Sequence, residues 1–127
     1  MKVLVNAISA KMGGAIAYLR NFLPTLARLD RDNEYVVFLQ SFLVDDFSGL
    51  AENIRLETHP GAESGGFARI RFDQWALRGF AKREGVDCIF STANFGVLAP
   101  PVPQVVSVRN PVYFCREYYR HVRNTEG

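Results

Sequence analysis

The residues best able to do chemistry in this 127-residue chain gather in three short stretches, each following an apolar run. After "KVLV" come Asn6, Ser9, Lys11 and the pair Gly13-Gly14. After "DCIF" come Ser91, Asn94 and Phe95, and after "QVVSV" come Arg109 and Asn110. Adjacent glycines at the start of a helix can aim unpaired backbone N–H groups, with the positive end of the helix dipole, at a phosphate or another anion. Losing both Cβ atoms also lets a ligand approach the main chain. The spacing matches neither G-x-G-x-x-G nor G-x-x-x-x-G-K-[ST], so the dinucleotide and P-loop fingerprints are absent and a permissive strand-to-helix turn is an equally good reading. Arg109-Asn110 would set a guanidinium and an amide at a sheet rim. There they suit either a phosphate or sugar hydroxyl, or an ion pair that closes the strand end.

Other chemistries are poorly provided for. His59 and His121 stand apart, and no H-E-x-x-H, Cys/His cluster or paired-carboxylate spacing occurs, so neither a metal nor another cofactor is expected. Ser91 and Cys88 lack the G-x-S-x-G setting or an obvious base that would activate a nucleophile. Cys88 and Cys115 are the only cysteines and form no C-x-x-C, which suits a reducing compartment. A net charge of +2 from 15 basic and 13 acidic residues is too balanced to argue for nucleic acid as a partner. In the tail, Arg116, Arg120 and Arg123 fall on one helical stripe beside Tyr118 and Tyr119. That stripe could meet phosphorylated lipid head groups or nucleic acid, or be a solvated face. No apolar run approaches the ~20 residues that cross a bilayer. "MKVLVNAIS" is also too short in its apolar run for a signal peptide. A cytoplasmic protein is expected, with peripheral membrane contact left open.

The elements that must hold these residues follow from periodicity. "KVLV" (2–5) and "EYVVFLQ" (34–40) read as strands buried on both faces of a parallel sheet, and "NIRLETH" (53–59) as a third strand nearer an edge. From Ala15 the positions Leu19, Phe22, Leu26 and Leu29 recur at helical spacing, with Pro24 removing one hydrogen bond inside the helix. "HPGAESGG" (59–66) reads as a flexible loop, and 67–84 as a helix that buries Ile70, Gln74, Leu77, Phe80 and Ala81. Gly85 should cap that helix ahead of a strand ending at residue 91. "QVVSVRN" (104–110) is then the fifth strand, and the tail can be helical after Pro111. Strands alternating with helices predict an α/β fold with a mainly parallel sheet flanked by helices, formed by residues 1–127 as a single domain. In such a sheet ligands bind at the carboxyl ends of the strands, which is where the three stretches lie.

With the elements in place, "MKVLVNAISAKMGGAIAYLRNFLPTLARL", "EYVVFL" and "RFDQWALRGFAKREGVDCIFSTANFGVLAPPVPQVVSVRNPVYF" resemble the Rossmann-like amino-terminal domain of retaining GT-B glycosyltransferases of family 4, glycosyltransferase group 1. The shared features are a Gly-Gly loop after the first strand, a Gln-containing helix before the fourth, an S-x-x-N-F-G loop after it, and a polar pair after the fifth. The resemblance implies an enzyme that transfers a sugar from a nucleotide-sugar donor to a glycan or lipid-linked acceptor with retention. The donor diphosphate would lie against Gly13 and Gly14, with Lys11 in the same loop. Arg109 and Asn110 would approach the transferred sugar, in the place where the family often has a His-Asp or His-Asn pair. Asn94 and Phe95 would lie toward the acceptor. The family's carboxy-terminal domain carries a Glu-x7-Glu motif, and no two glutamates here are eight apart. The chain is therefore expected to be a fragment, inactive by itself, of a two-domain enzyme. The alternative is a non-catalytic Rossmann-like module that binds a phosphorylated ligand through the same loop.

Overall fold

The computed structural model describes residues 1–92, 96–109 and 115–126. Its centre is β1 (Lys2–Asn6), whose apolar run pairs in parallel with β2 (Glu34–Phe38) on one side and β4 (Cys88–Ser91) on the other. β3 (Ile54–Glu57) adds outside β2 and β5 (Gln104–Val106) outside β4, giving a five-stranded, all-parallel sheet in the order β3-β2-β1-β4-β5. The chain winds first to one side of β1 and then returns to the other, so the carboxyl ends of β1 and β4 form a topological switch point. The expected α/β, Rossmann-like arrangement is the one observed.

Side-chain alternation along the strands separates two core layers. Val5, Val37 and Phe90 face α1 (Gly13–Leu29), which contributes Leu19, Leu23 and Phe22. Leu4, Val36 and Ile89 face the other side, where Phe72, Leu77 and Ala81 cover them. Pro24 does not end α1. It lies on the exposed side of the helix, and the Arg20 carbonyl that it leaves without a helical donor belongs to an exposed residue, so water can serve it. After the helix, Asp30 accepts hydrogen bonds from the Asp32 and Asn33 backbone N–H groups, as the polar sequence there predicts.

Two readings are corrected. Residues 59–66 are not simply a flexible loop: Pro60–Glu63 forms a helical turn, α3, after the short α2 (Val44–Phe47). The His59 imidazole accepts from the Gly61 N–H and caps α3, Pro60 starts it, and Ala62 is fully buried. The helix expected over 67–84 runs from 66 to 83 but in three parts, α4 (Gly66–Arg71), a π-helical segment (Phe72–Ala76) and α5 (Leu77–Arg83). The wider π turn shifts the phase of everything before it. Phe72, five residues before Leu77, takes the buried position, and Ile70 is turned to solvent. α5 then closes as expected at Gly85, with the Val86 N–H donating to the Ala81 carbonyl at 3.1 Å. β5 is shorter than expected, and α6 (Arg116–Glu126) follows with Arg116, Arg120 and Arg123 exposed.

Candidate functional site

α1 starts at the switch point, and its first turn is bare. Met12, in extended conformation, precedes it without a side-chain cap, and no acidic residue stands in the first turn. Among the described residues, no side chain accepts from the helix N–H groups there, which is the condition for anion binding. The two glycines have different reasons to be present. Gly13 has φ +59, in the left-handed region that side-chain-bearing residues avoid, so the turn itself selects glycine. Gly14 has no such conformation, and a Cβ added to it would meet nothing within 4 Å. Among the described residues, the space above Gly14 is open, and no packing neighbour selects against a side chain there. Lys11 and Met12 are exposed beside it.

Arg109 reaches the same rim. Its Nη2 donates to the Thr92 carbonyl at 2.6 Å, and its guanidinium lies 3.7 Å from the centre of the Tyr18 ring. Tyr18 is one turn beyond Gly14 on α1, and its ring stacks in turn on Phe22. Thr92 is tied to β1, since both its N–H and its Oγ1 donate to the Asn6 carbonyl, at 3.1 and 3.2 Å. The structure thus brings Arg109, the ends of β1 and β4, and the opening turns of α1 into one cluster. A cation held by a ring face and a carbonyl keeps its charge while losing freedom, which suits electrostatic positioning over proton transfer.

The loop after β4 is held from two sides. The Gln104 side chain accepts from the Val97 N–H and donates to the Val97 carbonyl, at 2.9 and 2.8 Å. Gln74, on the π segment, accepts from the Leu98 N–H at 2.8 Å and donates to the Gly96 carbonyl at 3.3 Å. A Cβ on Gly96 would stand 2.7 Å from Val106 Cγ2 and 2.8 Å from Gln104 Oε1, so only glycine fits this close approach. Asn94, Phe95 and Asn110 lie outside the described residues.

Sequence reasoning missed Arg69 and Asp73. Asp73 Oδ2 accepts from Arg69 Nε at 2.9 Å, and its Oδ1 accepts from Asn6 Nδ2 at 3.1 Å. Arg69 Nη2 donates to Ser9 Oγ at 3.0 Å. Both side chains are mostly buried, and together they brace the loop between β1 and α1 from the opposite helix layer. Their i,i+4 spacing was the available signal, but a regular helix gives no reason to aim the pair at Asn6. The π segment does.

The titratable groups with resolved shifts lie at the opposite end of the sheet, where the strands begin. Hydrogen bonds from Asn33 and Tyr35 hold the Asp30 carboxyl below the usual carboxylate range. Burial, followed by the bond to Asp30, pushes the Tyr35 hydroxyl up to about 12. Lys2 and Arg55 hold the Glu84 carboxyl below its usual range, and both pair with it, at 3.0 and 3.2 Å. These contacts close the amino ends of the strands and the end of α5, a structural role. Among the described residues, no group of three or more His, Cys, Asp or Glu is placed to hold a metal ion.

No protein-family model, curated protein or solved structure matches the chain.

Proposed function

We infer that this chain is the amino-terminal, acceptor-side domain of a glycosyltransferase. The complete enzyme would move a sugar from a nucleotide-sugar donor to a glycan or lipid-linked acceptor with retention. One observation carries the reading: the uncapped first turn of α1, open above Gly14, shares the switch point with the anchored guanidinium of Arg109. Backbone N–H groups and a fixed cation are what a departing diphosphate requires, because negative charge grows on it as the glycosidic bond breaks. The sequence resemblance gives that anion its identity. In this reading Gly13, Gly14 and Lys11 face the donor diphosphate. Arg109 and Asn110 face the transferred sugar, and Asn94 and Phe95 lie toward the acceptor. Arg109 supplies charge and hydrogen bonds, since a guanidinium does not serve as a general base.

The test is a transferase assay of the two-domain protein with nucleotide-sugar donors. Gly14→Val places a branched side chain in the open space, where it obstructs the approach to the N–H groups without a steric clash inside the fold. We expect kcat to fall by about 100-fold or more, the scale of losing an oxyanion donor, with an unchanged melting temperature. Wild-type turnover in this variant would reject the donor-loop assignment.

A second reading is a module that binds a phosphorylated ligand without transferring anything. It is favoured by the rim's polar side chains: Asn6, Arg69 and Asp73 are all engaged in bracing the loop. Nucleotide-sugar binding without transfer by the two-domain protein would select it.

A further inference from the structure

The helical segment 66–83 has two unlike faces. Phe72, Leu77 and Ala81 point into the core, while Phe67, Ile70 and Trp75 are 85%, 56% and 67% exposed. Arg71, Lys82 and Arg83 are exposed as well. The π segment produces this pattern, because its wider turn keeps Trp75 in line with Phe67 and Arg71 on the outward side. His59 and Phe72 floor the groove between these side chains and α3.

Charge is concentrated on the same segment. It holds five basic residues, Arg69, Arg71, Arg78, Lys82 and Arg83, against Asp73 alone, a net +4 in a chain of net +2, so the remainder of the chain is net −2. Among the described residues, no carboxylate pairs with Arg71, Lys82 or Arg83. Exposed aromatic and aliphatic side chains flanked by unpaired cations form the face of a helix that lies in the plane of a membrane surface. A second copy of this chain would instead set the same cations against one another. No helix among the described residues is long and apolar enough to cross a membrane, so the contact would be in-plane.

The geometry points to this face as a docking surface for a bilayer containing anionic lipid, with Phe67, Ile70 and Trp75 entering the boundary between head groups and acyl chains. Arg71, Lys82 and Arg83 meet the lipid phosphates. The surface is independent of the transferase reading and needs no nucleotide sugar to be tested.

Trp75 is the chain's single tryptophan, so its fluorescence reports on this face alone. The full chain is titrated with vesicles of phosphatidylglycerol and phosphatidylcholine at low salt. Trp75 emission should shift to the blue and be quenched by brominated acyl chains; both effects should vanish with phosphatidylcholine alone and weaken as salt is raised. Combined Arg71→Gln, Lys82→Gln and Arg83→Gln should weaken partitioning about five-fold per charge, or about 100-fold together. Circular dichroism melting checks that these exposed substitutions leave the fold unchanged. Unshifted Trp75 emission on anionic vesicles would overturn the assignment, as would binding that survives the triple variant. Binding abolished only by replacing Arg116, Arg120 and Arg123 would transfer it to α6. A Trp75 shift that follows protein concentration without vesicles would identify a second copy as the occupant and reject the membrane.

Discussion

Gly13 and Gly14 separate two demands that the sequence presents as one. Gly13 answers to backbone conformation, so Gly13→Ala should cost about 1–2 kcal/mol in urea denaturation. Gly14 sits in the first turn with room for a side chain, so Gly14→Ala should be neutral or stabilising by up to about 1 kcal/mol. A residue whose replacement improves stability is retained for another reason, and the anion site supplies one. At the amino end of the sheet, Asp30 and Tyr35 share a hydrogen bond that titrates from both ends. The lowered carboxyl of Asp30 contributes stability that is full above the unfolded value, near 3.8, and is lost as the pH falls below it. The raised hydroxyl of Tyr35 contributes stability that is full below 10.0 and is lost as the pH rises from there to about 12. Urea midpoints measured across pH should therefore decline at both extremes. Tyr35→Phe should remove this residue's part of the alkaline decline and reduce the acid one.

The elements were largely legible because β1, β2 and β4 are built on apolar runs, β3 alternates as a strand nearer an edge does, and α1 carries a clean helical stripe. The face of the second long helix was not. Ile70 occupies the position that a regular 3.6-residue period buries, yet Phe72 is the residue at 2% exposure. A π turn has no sequence signature that periodicity can detect, since it changes the period itself. Replacing each side chain measures the phase directly. Phe72→Ala should cost about 3–5 kcal/mol, whereas Ile70→Ala should stay within about 0.5 kcal/mol; a regular helix would give the reverse order. The same local widening sets Asp73 against Asn6, holds Gln74 to the loop after β4 and turns Trp75 outward. Three features of the molecule therefore rest on one irregularity, a common location for functional positions.

At the scale of the whole molecule, the sheet order decides which loops meet; the alternation of strands and helices made a parallel sheet readable, but not the order β3-β2-β1-β4-β5. Nor could it be read how the rim is fastened. The Thr92 bridge from Asn6 to Arg109 and the Arg109–Tyr18 contact depend on residues far apart in sequence. Stability should be graded across the sheet. Amide hydrogen exchange is expected to be slowest in β1, paired along both sides, and faster in the three-residue edge strand β5. The central place of β1 also has a price during synthesis. β1 is made before the other four strands of the sheet, but Val3 pairs with Cys88, so one whole hydrogen-bonding edge waits for 85 further residues. At about 5–20 residues per second that is roughly 4–17 s. For that interval the central strand of the sheet has half of its backbone partners unmade, and a chaperone that holds extended apolar segments would find its binding site in β1.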